Sequence, residues 1–187
     1  MARGHIRRTG SSLGTLFRIG LLWGFLLAPG STAADAALEY DVKAAFLLNF
    51  TKFIEWPPSA FAGPQSPFEI CVLGQDPFGR ALDEVLQGET VNGRPLVSRR
   101  ITQPPTAKNC QLLFVDAALK DLDQILAALP HGILTVGEGD SFLKDGGMIA
   151  FILDNRRVRF DINQTAADHA GIKLSAKLLT VARSIAR

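Results

Sequence analysis

Cysteine is scarce in this chain of 187 residues, which contains only Cys71 and Cys110 and no C-x-x-C pair. The absence of C-x-x-C argues against a thioredoxin-like redox site. The three histidines and two cysteines show no spacing that is typical of zinc ligands, so we expect no bound metal. Residues 35–187 also lack a G-x-S-x-G nucleophile elbow, a G-x-G-x-x-G turn and a Walker sequence. These absences favour a protein that has neither enzymatic activity nor a cofactor.

Hydrophobic runs long enough to cross a membrane are also missing. The apolar run from Ile19 to Leu27 is much shorter than the about 20 residues of a transmembrane helix. It follows several arginines and precedes small residues, which is the order of a secretory signal peptide. We therefore expect cleavage after Ala34 or Ala36, which divides the chain into a signal peptide, residues 1–34, and an exported domain, residues 35–187. An uncleaved N-terminal membrane anchor is the alternative interpretation.

A strong excess of charge of either sign is absent as well. The formal net charge is +2, and the predicted signal peptide carries four arginines and no acidic residue. Subtracting those four positive charges leaves −2 for the exported domain. A domain this close to neutrality lacks the basic surface of a nucleic-acid-binding protein, so we expect no nucleic-acid partner. We also expect no membrane insertion after cleavage.

The segment from Val42 to Trp56 predicts one amphipathic helix at the start of the exported domain. Its apolar residues recur at helical spacing, and Pro57 biases the residue before it away from helical angles. The apolar stripe consists of Val42, Ala45, Phe46, Phe50 and Phe53. Asn49 lies on the same stripe, where a buried side chain would need hydrogen-bond partners. We expect the helix to pack into the core through its phenylalanines.

Strands and helices alternate along the rest of the exported domain. Apolar runs predict strands at Phe68–Leu73, Leu96–Ile101, Cys110–Val115 and Ile133–Val136. Helical periodicity predicts helices at Gly79–Leu86, Ala117–Leu129, Thr165–Ala170 and Ala176–Ile185, and a β-hairpin is predicted from Met148–Leu153 and Arg157–Ile162. This order predicts a single α/β domain with a mostly parallel central sheet, an antiparallel hairpin at its edge and helices on both faces.

The loops at the carboxyl ends of the predicted strands are candidates for a ligand site, because ligands of open α/β sheets bind there. Gly74, Asp76, Asp116 and Gly137 lie in three such loops. Their positions suit a pocket for a small molecule or an anion. Glycine and aspartate are also the residues that turns require, and the sequence alone leaves both interpretations open.

Two pairs of residues are further candidates for a structural or binding role. Cys71 and Cys110 are an even pair in a domain that we expect to be exported, which favours a disulfide over two buried free thiols. Arg157 and Arg159 share one face of the second hairpin strand. They suit contact with the carboxylates of a partner or with an anion. They equally suit the protection of an exposed sheet edge against pairing.

An ordered set of motifs along the exported domain resembles the YfiR family. The motifs are VKAAF at 42–46, NFTKFIEWP at 49–57, ICVLG at 70–74, PFG at 77–79, CQLLFV at 110–115, ILTVG at 133–137, GGMI at 146–149, VRFDIN at 158–163 and GIKLS at 171–175. Cys71 and Cys110 match a cysteine pair of this family. Some members carry a second pair toward the C-terminus, which this chain lacks. The resemblance covers nearly the whole exported domain.

The resemblance implies a periplasmic regulator without enzymatic activity of its own. Such a protein binds the periplasmic part of an inner-membrane diguanylate cyclase and represses it, thereby controlling cyclic-di-GMP signalling and biofilm formation. An outer-membrane, peptidoglycan-associated lipoprotein is the second implied partner, and a homodimer is an implied assembly. The alternative function is a periplasmic small-molecule binding module with its pocket at the carboxyl ends of the strands.

Overall fold

The computed structural model describes residues 31–187 of the chain. The predicted signal peptide therefore lies almost entirely outside the described residues. Both expected cleavage positions fall within the first turns of helix α1, Ser31–Phe53. No helix within residues 31–187 has the length and the apolar composition that a membrane crossing requires.

The described chain contains six α-helices and ten strands. The helices are α1 Ser31–Phe53, α2 Arg80–Leu86, α3 Leu122–Ala127, α4 Asp140–Lys144, α5 Gln164–His169 and α6 Ala176–Val181. The strands are β1 Ile54–Glu55, β2 Phe68–Leu73, β3 Thr90–Val91, β4 Arg94–Ile101, β5 Leu112–Val115, β6 Leu134–Glu138, β7 Ile149–Asp154, β8 Arg157–Asn163, β9 Lys173–Leu174 and β10 Ser184–Ala186. Short 3-10 helices lie at Pro58–Ala60 and Pro104–Asn109.

An eight-stranded sheet forms the centre of the domain, in the order β10-β8-β7-β6-β5-β2-β4-β3. Strands β4, β2, β5, β6 and β7 are parallel, and β7 and β8 form the antiparallel hairpin. The short strand β10 pairs in parallel with β8 and extends the sheet by one strand beyond the hairpin. The predicted fold class is confirmed, and the carboxyl ends of β2, β5 and β6 meet at one end of the sheet.

Helices cover both faces of the sheet because side chains of the central strands alternate between two cores. On β2, Ile70 and Val72 point to the face covered by α1 and α2, whereas Cys71 and Leu73 point to the face covered by α3 and α4. All four side chains are buried. Burial on both faces explains why β2 and β5 are nearly continuous apolar runs in the sequence.

Helix α1 is rotated relative to the predicted stripe. Leu47 and Phe50 are almost completely buried, whereas Val42 is 40% exposed. Asn49 is exposed, so its predicted place on the buried face is wrong and it needs no internal partner. The periodicity of the sequence identifies the helix correctly, but both of its faces carry apolar residues and only the contact with the sheet selects between them.

Helix α1 ends at Phe53, earlier than the predicted end at Trp56. The segment Ile54–Glu55 leaves the helix and pairs antiparallel with Lys173–Leu174 of β9. The predicted stop signal, Pro57, follows this pair of strands. A pairing with residues far along the chain therefore sets the end of the helix.

The predicted helix from Ala117 to Leu129 is reduced to the six residues of α3. The carboxylate of Asp116 accepts a hydrogen bond from the backbone N–H of Ala118, which holds the start of the segment in a turn. Asp121 has a φ of 57°, in the left-handed region, so a continuous right-handed helix cannot pass through it. The predicted length is wrong because a turn interrupts the apolar periodicity.

The predicted helix from Ala176 to Ile185 is divided between α6 and β10. Ser175 caps α6 as predicted, because its hydroxyl oxygen accepts a hydrogen bond from the backbone N–H of Leu178. The backbone N–H of Arg183 then donates to the carbonyl of Phe160, and the following residues pair with β8. The predicted end of this helix is wrong because Ser184–Ala186 form strand β10 and pair with β8.

Phe50 is the residue of α1 whose loss we expect to destabilise the domain most. Its ring stacks on Phe151 with ring centroids 6.0 Å apart and meets Phe160 edge to face at 5.2 Å. Phe50→Ala should lower the free energy of unfolding by about 3–5 kcal/mol, because it removes a buried ring and leaves a cavity. The control, Asn49→Ala at the exposed neighbour, should change it by less than about 0.5 kcal/mol. Urea denaturation followed by circular dichroism measures both, and equal stabilities would contradict the packing role.

Candidate functional site

A cavity of about 190 Å³ opens at the carboxyl ends of β2, β5 and β6, where the candidate ligand loops meet. Its lining consists of Tyr40, Gln75, Asp76, Pro77, Phe114, Asp116, Ala117 and Glu138. Tyr40 comes from helix α1, which crosses this end of the sheet. The parallel arrangement of the strands therefore brings Asp76 and Asp116 to one cavity, as their positions after β2 and β5 predict.

The carboxylate of Asp76 is engaged within the protein. Its Oδ1 accepts hydrogen bonds from the backbone N–H groups of Phe78 at 2.9 Å and Gly79 at 3.3 Å. Its Oδ2 accepts one from Nε of Arg100 at 2.9 Å. Arg100 also contacts Asp83 of α2, which raises the pKa of the Arg100 guanidinium and lowers the pKa of the Asp83 carboxyl. Asp76 therefore shapes the loop that leads into α2.

The carboxylate of Asp116 holds a second loop against the first. Its Oδ2 accepts a hydrogen bond from the backbone N–H of Gln75 at 2.9 Å, and its Oδ1 accepts one from Ala118 at 2.9 Å. Gly74 has a φ of 96°, and a Cβ on this residue would lie 2.7 Å from the Cβ of Asp116. Gly74 is therefore required by the close approach of the two loops.

Gly137 makes room for a buried aromatic ring on the other face of the sheet. A Cβ on this residue would lie 2.4 Å from a ring carbon of Phe142, which is 1% exposed. Gly137 does not line the cavity, whereas the next residue, Glu138, does. Two of the four candidate ligand-binding residues, Asp76 and Asp116, thus face the cavity, and the two glycines shape the backbone around it.

Lys43 is a charged residue near the cavity that the sequence analysis missed. Its side chain is 6% exposed, and its ammonium contacts Glu138 at 2.5 Å and also the carboxylate of Glu39. The hydroxyl of Tyr40 donates to the other carboxylate oxygen of Glu138 at 3.3 Å. The spacing of Glu39 and Lys43, four residues apart on a helix, is the only signal in the sequence that points to this cluster.

The pKa values of this cluster are shifted by burial and by the neighbouring carboxylates. Burial disfavours the charged form of Lys43, but hydrogen bonds to Glu138 and Glu39 outweigh it and raise the pKa of the ammonium above its ordinary 10.5. Burial and the charge of Glu138 raise the pKa of the Tyr40 hydroxyl. Lys43 is therefore charged at neutral pH, and its ion pair with Glu138 fastens α1 to the end of β6.

A groove of about 820 Å³ lies between the N-terminal half of α1 and the tip of the β7–β8 hairpin. Arg157 lines this groove together with Arg156 of the hairpin turn. Arg159 is exposed on the same strand, but it is not among the described residues that line the groove. The two arginines predicted to bind a partner therefore lie in different surroundings.

Cys71 and Cys110 form a disulfide that joins β2 to the segment before β5, with Cα atoms 5.9 Å apart. Both cysteines are buried, with exposed fractions of 0% and 1%. Nη2 of Arg99 lies 3.5 Å from the Cys110 sulfur and pairs with Glu69 at 2.8 Å. Glu69 and the two sulfurs lie within 4.8 Å of one another, but sulfurs that share a disulfide offer no thiolate to a metal. The predicted pairing is present in the structure.

The sequence profile of the YfiR/HmsC-like family matches residues 40–183. The chain belongs to the YfiR/HmsC-like family. The match runs from Tyr40, within α1, to the residue before β10, so it includes the cavity, the disulfide and the hairpin. The resemblance seen in the ordered motifs is thereby confirmed. No curated protein matches this YfiR/HmsC-like chain.

Two solved structures resemble this YfiR/HmsC-like domain. One is a conserved domain protein from Vibrio cholerae O1 biovar El Tor, with a TM-score of 0.52 and 12% sequence identity over 78% of this chain and 60% of that chain. The other is the ABC domain in complex with L-Trp from Streptococcus pneumoniae, with a TM-score of 0.45 and 10% identity over 81% of this chain and 60% of that chain. The chain thus spans 60% of the length of each structure. The first likeness shows a shared α/β fold alone.

We expect protein that is denatured without reductant to show no alkylated cysteine by mass spectrometry, and two after denaturation and reduction. Replacing both cysteines by alanine should lower the free energy of unfolding by about 2–4 kcal/mol, because the bond constrains the unfolded chain between positions 39 residues apart. Urea denaturation without reductant compares the two proteins. Alkylation of both cysteines in the denatured but unreduced protein would exclude the disulfide.

Lys43→Met should lower the free energy of unfolding by about 2 kcal/mol, because it leaves Glu138 without its largely buried partner. The control Lys52→Met, in the same helix, removes an exposed ion pair with Glu89 and should cost less than about 0.5 kcal/mol. Urea denaturation at neutral pH measures both variants. Equal losses would show that the Lys43 pair is not buried in solution.

The alkaline dependence of stability provides a second measurement on the same residue. A lysine whose pKa is raised on folding contributes stability that is fully present below its ordinary pKa of 10.5 and lost as the pH rises through the folded-state value. Stability should therefore fall above this pH in the unaltered protein. The fall should be smaller in Lys43→Met. If the stability of this variant fell with pH as steeply as that of the unaltered protein, the raised pKa of Lys43 would be contradicted.

Proposed function

We propose that this protein is a periplasmic regulator that has no enzymatic activity and acts by binding. Its target would be the periplasmic part of an inner-membrane diguanylate cyclase, which it represses. An outer-membrane, peptidoglycan-associated lipoprotein would sequester the regulator and so release the cyclase. Cyclic-di-GMP would then rise and favour biofilm formation.

The observation that carries this proposal is the family match over residues 40–183. The expected signal peptide supports it, because a signal over residues 1–34 with cleavage after Ala34 or Ala36 would deliver the domain to the periplasm. The sequence supports it further, because residues 35–187 lack the common nucleophile and nucleotide-binding motifs. Together these features favour a protein that acts by binding another protein.

The state of the carboxylates beside the cavity also favours a binding role over catalysis. Asp76 and Asp116 each accept hydrogen bonds from backbone N–H groups and thereby fix their loops. A general base must instead be positioned to take a proton from a substrate. The role of both aspartates in holding turns is therefore explained by these hydrogen bonds, without a catalytic role.

The alternative function, a small-molecule binding module, depends on the same cavity. Ligand pockets usually enclose about 300–1,000 Å³, whereas this cavity encloses about 190 Å³. Gly74 and Gly137 do not line it, although their loops surround it. A thermal-shift screen of aromatic amino acids and nucleotides tests the alternative, and one tight ligand that loses affinity in Asp116→Asn would support it.

Repression by binding needs only a difference in affinity. A regulator that binds the inactive state of a cyclase more tightly than the active state shifts the enzyme toward inactivity. A preference of about 3 kcal/mol changes the ratio of the two states by roughly a hundredfold. Arg159, exposed on β8 and outside the groove, is our proposed contact for a carboxylate of the cyclase.

Deletion of the gene should raise cellular cyclic-di-GMP, because the cyclase loses its repressor. Complementation with the unaltered gene should restore the low level, and complementation without the signal segment, residues 1–34, should not. Mass spectrometry of nucleotide extracts measures the change. A pull-down from solubilised membranes with tagged protein should recover a diguanylate cyclase. Unchanged cyclic-di-GMP together with no recovered cyclase would exclude the proposed function.

A further inference from the structure

A pocket of about 310 Å³ opens at the amino ends of β6 and β7, at the opposite end of the sheet from the cavity beside Asp76 and Asp116. Residues of helices α3 and α5 line it, so it lies where the two cores meet at the end of the sheet. The buried part of its lining consists of Ile133, Thr135 and Met148. The domain therefore has a second concave site that none of the candidate residues from the sequence occupies.

The lining of this pocket is apolar and carries no acidic, lysine or arginine side chain among the described residues. Leu126 and Leu129 lie on the α3 side, and Ala166 and Ala170 lie on the α5 side. A charged ligand would lose its hydration here without meeting an opposite charge. The pocket therefore suits a neutral molecule, whereas an amino acid with its two charged groups would fit it poorly.

The volume of the pocket suits a ligand of one ring. An apolar protein cavity of about 150 Å³ binds benzene, and ligand pockets usually enclose about 300–1,000 Å³. At about 310 Å³, this pocket has room for an aromatic ring with small substituents. The thioether of Met148 favours an aromatic ring further, because sulfur and aromatic rings attract each other.

His131 gives the pocket a hydrogen-bond acceptor in a fixed position. Its Nδ1 lies 2.9 Å from the backbone carbonyl oxygen of His169, and a carbonyl oxygen can only accept. The proton of the neutral imidazole is therefore on Nδ1, which leaves Nε2 as an acceptor. The backbone N–H of Gly132 donates to the carbonyl of Ala170 at 2.9 Å and fastens the same turn to the end of α5. Nε2 of His131 suits a hydroxyl group of a ligand.

Thr135 gives the pocket a hydrogen-bond donor. Its hydroxyl oxygen accepts a hydrogen bond from the backbone N–H of Met148 at 3.1 Å. Thr135 is only 3% exposed, and its hydroxyl proton has no acceptor among the described residues. A buried donor that lacks a partner costs free energy, which a ligand carrying an acceptor would recover.

We propose that this pocket binds a neutral aromatic molecule of one ring that carries a hydroxyl group at one end and a carbonyl group at the other. The ring lies among Leu126, Leu129 and Met148. The hydroxyl donates to Nε2 of His131, and the carbonyl oxygen accepts from the hydroxyl of Thr135. The apolar contacts supply affinity, and the two hydrogen bonds select the orientation.

This inference does not depend on the proposed cyclase partner or on the cavity at the carboxyl ends of the strands. A protein that binds such a molecule but leaves cyclic-di-GMP unchanged on gene deletion would refute the proposed function and support the pocket. A repressor of a cyclase whose pocket binds no such molecule would do the reverse. The two proposals therefore fail separately.

The compound 4-hydroxyacetophenone has the proposed groups and serves as the probe. Titration of isotope-labelled protein at about pH 7, followed by the backbone amide signals in NMR, should give saturation with a Kd of about 0.1–1 mM. The amides of Gly132, Thr135 and Ala170 should shift. The amides of Gln75 and Asp116, at the other cavity, should not.

Three analogues test the chemistry of the site. Acetophenone lacks the hydroxyl and 4-ethylphenol lacks the carbonyl oxygen, so each should bind roughly three- to tenfold more weakly. The third analogue, 4-hydroxybenzoate, has a similar shape but an ionised carboxylate, and it should not bind detectably at about 5 mM because no described lining residue offers it a positive charge at this pH.

Two substitutions locate the site. The amide nitrogen of His131→Asn can replace Nδ1 in the bond to His169, but this variant has no atom in the place of Nε2. It should therefore weaken binding of 4-hydroxyacetophenone roughly three- to tenfold and leave binding of acetophenone unchanged. Ala170→Leu fills the pocket and should abolish binding of both, whereas the control Ala128→Leu, at an exposed residue outside the lining, should not alter it.

Several results would overturn the proposal. One is the absence of saturable shifts at the pocket amides up to about 5 mM probe, since a Kd in the expected range would then give clear binding. Equal binding of 4-hydroxybenzoate, or full binding by Ala170→Leu, would overturn it as well. An equal loss of both ketones in His131→Asn would show that Nε2 is not the acceptor of the hydroxyl, and would also reject the proposed arrangement.

Discussion

Helix α1 is held on the central sheet by Leu47 and Phe50, which are buried against strands on the same face. Phe50 lies between Phe151 and Phe160, one from each strand of the hairpin. This contact sets the position of the whole helix, whose 23 residues extend well beyond it. The cavity depends on it because Tyr40 lines one side, and the groove depends on it because residues of α1 up to and including Phe46 form one wall.

The ion pair of Lys43 with Glu138 acts on the same helix from the end of the sheet. A largely buried ammonium tolerates little displacement from its carboxylates, because separation would leave charges without partners in a poorly solvated place. The hydrophobic contact holds the helix at Phe50, and the ion pair holds it at Lys43, beside the end of β6. Both are needed to place the face that carries Leu38 and Val42 opposite the hairpin.

Much of the fold was predictable because its signals are local. The apolar runs of β2 and β5 identify strands buried on both faces, and the polar residues 154–156 between two apolar segments identify the hairpin. The proximity of Asp76 and Asp116 followed from parallel strand order. The orientation of α1 was not predictable, since it carries apolar residues on more than one face. Arg157 lines the groove and Arg159 does not. This difference depends on the position of α1, which no local sequence pattern predicts.

The sequence by itself determined the family, the α/β class, the candidate disulfide and the absence of common catalytic motifs from residues 35–187, because each of these depends only on residue types and short spacings. Tertiary structure alone decided the rotation of α1, the strand formed by Ser184–Ala186 and the ion pair between Lys43 and Glu138. Those features join residues far apart in the chain, 95 positions in the case of that ion pair. Local propensity is weak beside packing, so residues distant in sequence but adjacent in space settle which face is buried and which remains free to bind.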